Sequence, residues 1–277
     1  MTARFADVLA TIDGWGADHA AAAVVGPDNL LEHHGDLDHA FRWASVTKPV
    51  IALAVLRAVD DGAIDLDEAA GPPGSTVRHL LAHTSGLPFE GDEVLARPGT
   101  RRIYSNPGFD RLGGLLADRR GIDVAAATTA AVLEPLGMTG TTLAGRASEG
   151  MVGTLRDLAT LAAEFLRPTL LTPATAAAMR APAFPGLPGV VPGVGRFDDC
   201  AWGLGVELRA GKTPHWTGRA NGPETFGHFG GTGTFLWVDP NLDLAVACLT
   251  DRTYGPWALE AWPMLDALIE RAFSSRV

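Results

Sequence analysis

Strand-forming sequence lies at the two ends of this chain and is sparse between them, and that distribution restricts the possible folds more than any other feature. Residues 20–25 and 29–34 are short apolar runs joined by Gly26-Pro27-Asp28, and they read as a β-hairpin. Strand character returns from Trp202, over 202–208, 226–238 and 242–249, the last two separated by the turn Asp239-Pro240-Asn241. From about 50 to 195 the chain is instead rich in alanine and leucine at helical spacing, over 77–83, 108–119, 124–136 and 155–166, with glycine and proline breaks between. Helical patterns also occupy 1–19 and 258–273.

The two ends are therefore expected to build one layer around a helical insert. The fold class is α/β (α+β), an antiparallel β-sheet flanked by helices with an inserted, mostly helical lobe. One domain of two lobes is expected, 1–50 plus 196–277 forming the α/β lobe and 51–195 the helical one. At 277 residues and 47% hydrophobic content, the chain is large enough to bury the core this needs. The Gly/Pro-rich stretch 182–195 reads as the return between lobes or as a mobile loop.

Only two of the 22 lysines and arginines are lysine, and one of them, Lys48, follows Ser45 at the spacing S-x-x-K. A chain that covers its surface with arginine has little use for lysine unless a position needs an amine that can lose its proton, which a guanidinium cannot do. Residues 50–59 form an apolar helical run that ends at Asp60-Asp61-Gly62, where glycine suits a left-handed cap. Pro49 is tolerated only in the first turn of that helix, so the helix begins near Ser45. Ser45 and Lys48 then lie one turn apart on the same face, with the hydroxyl at the positive end of the helix dipole. An ordinary N-cap serine fits the same place, and the spacing alone leaves both readings open. Tyr104, one of two tyrosines, opens a second cluster of proton-handling groups in Tyr104-Ser105-Asn106.

The net charge of −10, without a basic stripe, argues against a nucleic-acid partner. No apolar run of 18 residues is present to span a membrane, and Asp7, Asp13 and Asp18 interrupt the apolar runs near the N-terminus. No membrane partner and no leader are expected, and the expected location is cytoplasmic. Cys200 and Cys248 read as free, buried thiols.

Ser45-x-x-Lys48, Tyr104-x-Asn106 and His228-Phe229-Gly230-Gly231 stand in the order and rough spacing of the serine β-lactamase and penicillin-binding-protein superfamily. The chain resembles the class C-like branch of that superfamily in further segments. These are Leu80-Leu81-Ala82-His83-Thr84-Ser85-Gly86-Leu87-Pro88, Pro98-Gly99-Thr100 ahead of Tyr104, Pro135-Leu136-Gly137-Met138 and Phe235-Leu236-Trp237-Val238-Asp239-Pro240. The likeness covers about residues 40–250 and implies the β-lactamase/transpeptidase-like fold, an acyl-enzyme on Ser45, no cofactor and no metal.

An alcohol attacks a carbonyl well only when a base takes its proton, and Lys48 and Tyr104 are the available candidates. Lys48 is read as that base, which requires its pKa to be lowered by burial or by neighbouring positive charge. Tyr104 is read as relaying the proton to the leaving group and to the deacylating water. By family analogy the oxyanion donors are the backbone N–H groups of Ser45 and Gly231, with Gly230 letting the backbone approach. Asn106 holds a substrate amide or ester group and orients Lys48. His228 stands where β-lactamases and peptidases usually carry lysine, and a neutral imidazole hydrogen-bonds rather than attracting a carboxylate. Phe229, where a small residue is frequent, narrows that side of the site. Together these two lean toward the esterase and amidase members and away from a dedicated penicillinase.

Trp43, Trp202 and Trp216 are candidates for an acyl pocket, although buried tryptophan is more often plain core. His79 and His83, four apart on a helix, lack the glutamate and third ligand of a zinc site, and His33-His34 point to opposite faces of a strand. The expected function is a serine hydrolase that forms an acyl-enzyme on Ser45 and cleaves a small-molecule ester, amide or short peptide. The competing readings are a β-lactamase or D-amino-acid peptidase, a biosynthetic transacylase and a non-enzymatic acyl-binding sensor. The intact motifs weigh against the last.

Overall fold

The computed structural model describes residues 4–274. A short helix α1 (Phe5–Leu9) and a 3-10 turn over Ala10–Trp15 lead into strands β1 (Ala20–Val25), β2 (Leu30–His34) and β3 (Phe41–Arg42). The first helix is shorter than the 1–19 expected, because Gly16 takes a left-handed φ of 67° after Trp15; residues 1–3 of that expectation lie outside the described residues. Then come α2 (Thr47–Asp60), α3 (Val77–Leu81), α4 (Asn106–Arg120) and α5 (Val124–Thr128), the last continuing as a π-helical turn over Thr129–Leu133. Strands β4 (Thr142–Leu143) and β5 (Met151–Gly153) precede α6 (Leu155–Leu166) and α7 (Pro173–Met179). The remaining chain forms β6 (Gly189–Val191), β7 (Gly195–Phe197), β8 (Glu207–Leu208), β9 (Phe226–Gly230), β10 (Thr234–Asp239), β11 (Leu244–Thr250) and α8 (Pro256–Ser274).

Six strands make one sheet in the order β2-β1-β11-β10-β9-β8. Every pairing in it is antiparallel. β1 runs against β11 from Ala20 opposite Thr250 to Val25 opposite Ala245, so strands from the two ends of the chain meet inside the sheet. Side chains alternate between faces. Ala21, Ala23 and Val25 enter a core shared with α2 and α6, while Ala22 and Val24 enter a second core with Phe5 of α1 and Trp262 of α8. Helices cover both faces, which is why β11 is buried along its whole length and reads as a continuous apolar run. Among the described residues no helix is long and apolar enough to cross a membrane.

The strand expected over 202–208 is confined to β8, with one bridge from Trp202 to Glu207, and the one expected over 226–238 is divided into β9 and β10 by a turn at Gly231-Thr232-Gly233. Residues 182–195 are also more ordered than a simple return. Their second half pairs as the β6–β7 hairpin, and β6 is bridged to Arg102, whose buried guanidinium donates to the carbonyls of Ala82, Ala183 and Cys200. A small sheet, β3-β5-β4, lies beneath the start of α2. Trp43 N–H donates to Met151 O at 2.9 Å, and Met151 N–H donates to Thr47 Oγ1 at 3.0 Å, so this sheet fixes where the helix begins. α2 is apolar on nearly every side and buried from Thr47 through Leu56. Pro49 is its third residue, where no intrahelical N–H is required.

Candidate active site

Ser45 lies in the 3-10 turn Ala44–Val46 ahead of α2, directly after Ala44, whose φ of 47° is left-handed. That conformation costs a residue with a Cβ about 1 kcal/mol or more and persists only where the surroundings enforce it. The β9–β10 hairpin does so. Thr232 Oγ1 donates to Arg42 O at 2.7 Å and Thr234 Oγ1 to Trp43 O at 2.9 Å. Gly230 approaches so closely that a Cβ there would lie 2.5 Å from Trp43 O and 3.1 Å from the Ala44 Cβ. A Cβ on Gly231 would instead meet open space, and Gly231 and Ser45 both line a cavity of about 320 Å³.

Lys48 is fully buried, and its amine donates to Ser45 Oγ at 3.2 Å, Asn106 Oδ1 at 2.6 Å and Ser148 O at 2.8 Å. Burial brings its pKa down from 10.5 to about 7, against the opposing pull of the Glu149, Asp110 and Glu90 carboxylates. The amine also lies 4.6 Å from the centre of the Tyr104 ring. Tyr104 precedes the cap of α4, where Ser105 Oγ accepts the Gly108 N–H at 3.1 Å. Its hydroxyl shares a hydrogen bond with Ser45, and burial raises its pKa well above the ordinary tyrosine value, so the group is a neutral phenol. His83 stacks on its ring at 4.5 Å and takes the Ser105 N–H on Nδ1 at 3.0 Å, while His79 Nδ1 accepts the Thr76 N–H at the start of α3. The two histidines thus fix backbone on either side of a turn.

Asn106 is the first residue of α4, and both ends of its amide are engaged, Oδ1 by Lys48 and Nδ2 by Glu90 Oε1 at 2.6 Å. His228 is buried on β9, with burial and then the nearby Lys48 lowering its pKa to about 3. Its neutral ring contacts Phe229 O through Nδ1 at 2.7 Å. Phe229 lines the cavity and is backed by Tyr254 at 4.9 Å and Trp216 at 5.4 Å. Of the three tryptophans singled out in the sequence, Trp202 lines the cavity, whereas Trp43 and Trp216 are core. Ser45, Lys48, Tyr104 and Asn106 therefore converge, with His228 and Phe229 on the facing strand β9, Gly231 in the turn after it and Gly230 behind the Ser45 turn.

A β-lactamase family model matches residues 14–271. The chain belongs to the β-lactamase family. A crystal structure of a β-lactamase from Mycobacterium bovis is 49% identical and superposes with a TM-score of 0.94 over 96% of this chain and 99% of that one. The fold is thus the family's, as the motifs implied. Esterase EstB of Burkholderia gladioli is 33% identical over 36% of this chain and 38% of its own length. The D-alanyl-D-alanine-carboxypeptidase/endopeptidase AmpH of Escherichia coli (strain K12) is 26% identical over 50% and 48%. The chain spans less than half the length of either of these curated relatives.

The cavity also takes Phe89, Glu90, Glu149, Val191, Pro192, Gly193, Glu207 and Tyr254 from loops, from the β6–β7 hairpin and from β8, none of which the sequence marked as site residues. One signal was present. Lys212, the other lysine of the chain, is buried against Glu207 at 3.2 Å, so the scarcity that points to Lys48 also points beside the cavity.

Proposed function

We propose that this member of the family is a serine hydrolase that cleaves a small-molecule ester or amide through an acyl-enzyme on Ser45. The observation that carries the reading is the buried Lys48 amine, 3.2 Å from Ser45 Oγ and held at about 7. Once neutral, the amine keeps two N–H donors for Asn106 Oδ1 and Ser148 O and presents its lone pair to the Ser45 hydroxyl. Ser45 Oγ bonds to the substrate carbonyl carbon as its proton passes to Lys48 Nζ. The oxyanion that forms takes the backbone N–H groups of Ser45 and Gly231. As the bond to the leaving group breaks, the proton travels through the Tyr104 hydroxyl to the departing oxygen or nitrogen. Tyr104 acts as a neutral carrier, since burial keeps its hydroxyl protonated. Water then adds to the acyl carbon, gives up its proton by the same groups, and releases the acid and free Ser45.

Asn106, held at both ends, orients Lys48. Neutral His228 supplies no charge for a carboxylate, and among the described residues no lysine or arginine lines the cavity, which favours substrates without one beside the scissile bond. Hydrolysis of p-nitrophenyl butyrate tests the reading. Release of p-nitrophenol by the wild type and its loss in Ser45→Ala supports it; equal release by both removes Ser45 from the reaction.

A further inference from the structure

Apart from the Lys48 amine behind Ser45, the cavity offers a substrate negative charge, lone pairs and aromatic faces, and among the described residues no lysine or arginine lines it. Away from Ser45 its polar wall includes the carboxylates of Glu90, Glu149 and Glu207, the imidazole of His228, the Tyr254 hydroxyl and the Trp202 indole N–H, which is buried without a partner among the described residues. Phe229 O can only accept, so the His228 proton sits on Nδ1 and Nε2 is a bare lone pair, buried and without a partner among the described residues. Glu207 is 2% exposed. Burial alone would raise its pKa, but Lys212 at 3.2 Å and His215 at 3.1 Å overcome that and keep it ionised, at about 2. The Lys212 amine, which also donates to the carbonyls of Ala201 and Leu208, is the buried counter-charge of Glu207 and does not line the cavity. The Trp216 indole N–H donates to the other Glu207 oxygen, so the uncompensated negative charge beside the site comes from Glu90 and Glu149.

Nearer the solvent, three carboxylates share one guanidinium. Arg146 meets Asp110 at 2.6 Å, Glu90 at 3.1 Å and Glu149 at 3.5 Å, which leaves an excess of negative charge beside the site. The rest of the wall includes four aromatic rings, Phe89, Trp202, Phe229 and Tyr254, besides Tyr104, whose ring already lies against the Lys48 amine and His83. An ammonium is attracted to aromatic faces, and a low-dielectric cleft lined by one sign of charge concentrates ions of the other. A carboxylate brought to the same wall meets like charge and an unprotonated imidazole.

We infer that the site selects esters or amides that carry a positively charged ammonium group, held between the aromatic rings and the glutamates. The inference rests on the hydrolase reading and names the substrate class for it.

Butyrylcholine and its uncharged isostere 3,3-dimethylbutyl butyrate differ only in nitrogen against carbon at the branched centre. Each hydrolysis consumes one water and yields butyric acid and the alcohol, so acid release follows both, with Ser45→Ala as the blank. The same two esters are titrated onto Ser45→Ala to read binding without turnover. The expected result is a kcat/KM at least about tenfold higher for the cationic ester at low salt, a preference that shrinks as salt is raised and in Glu149→Gln. Ser45-dependent hydrolysis of the isostere at an equal or higher kcat/KM overturns the inference and leaves the hydrolase reading standing. If neither ester is turned over, the hydrolase reading is the one in difficulty and binding decides. Tighter binding of the cation to Ser45→Ala then supports the inference, whereas equal binding, or binding of neither, overturns it.

Discussion

Replacing Lys48 by methionine should reveal what it costs to bury an amine beside Ser45. Burial holds Lys48 at about 7 in the folded protein, against 10.5 for the free side chain. Between those values the unfolded chain binds more protons than the folded one, so stability rises with pH across the window, and below it the penalty is present in full. The Lys48 contribution is then a cost of about 5 kcal/mol at about pH 6.5 and about 2 kcal/mol at about pH 9. Methionine has no such dependence. It does strand the acceptors Asn106 Oδ1 and Ser148 O, each at about 1–3 kcal/mol, but by the same amount at both pH values. The diagnostic quantity is therefore the change with pH and not the offset. Urea unfolding of both proteins at several pH values should show the wild type gaining about 2–3 kcal/mol on Lys48→Met over that range. A difference that stays level within about 0.5 kcal/mol would mean that Lys48 is protonated throughout, and the neutral-amine base would have to be abandoned.

The same group should set the acid limb of catalysis: the acylation rate falls about tenfold for each pH unit below about 7, and Lys48→Arg loses about a hundredfold or more, read from the p-nitrophenol burst. An acid limb centred well below that value would point to a different base. Gly230→Ala, whose Cβ would stand 2.5 Å from Trp43 O, should cost about 1–3 kcal/mol in thermal melts and lower kcat/KM. Gly231→Ala, with open space at that position, should stay within about 0.5 kcal/mol, and equal losses in the two variants would contradict the packing described for the Ser45 turn. Glu207→Gln leaves Lys212 buried without its counter-charge and should cost about 3 kcal/mol, with Glu207→Gln and Lys212→Met together recovering much of it. No recovery in the double variant would show that Lys212 is not held chiefly by Glu207.

The elements legible in the sequence are those long enough to carry a period. α2, α4 and α6 bury continuous stripes, and the hairpin β1–β2 and strands β10 and β11 are bounded by turn residues. The strands β3, β4 and β5 are two or three residues long, too short to carry a period, and β3 owes its existence to pairing across more than 100 residues, Phe41 opposite Gly153, which no local pattern encodes. α7 did leave a signal, Thr172 capping and Pro173 at the first position, obscured by the proline-rich sequence around it. In the site, Ser45, Lys48, Tyr104 and Asn106 were legible because their chemistry is scarce in this chain or set in recognisable motifs. Glu90 and Glu149 were not, since an exposed glutamate in sequence is indistinguishable from any solvated surface charge. Gly193 and Val191 reach the cavity only because β6 and β7 fold back on Arg102.

The central claim is a covalent acyl group on Ser45. Intact-protein mass spectrometry after brief exposure to p-nitrophenyl butyrate, quenched in acid during turnover, reads it directly. The account predicts a fraction of the protein heavier by one butyryl group, localised by peptide mapping to the segment that holds Ser45 and absent from Ser45→Ala. Rapid release of p-nitrophenol with no mass increase, or an adduct that persists on Ser45→Ala, would contradict it.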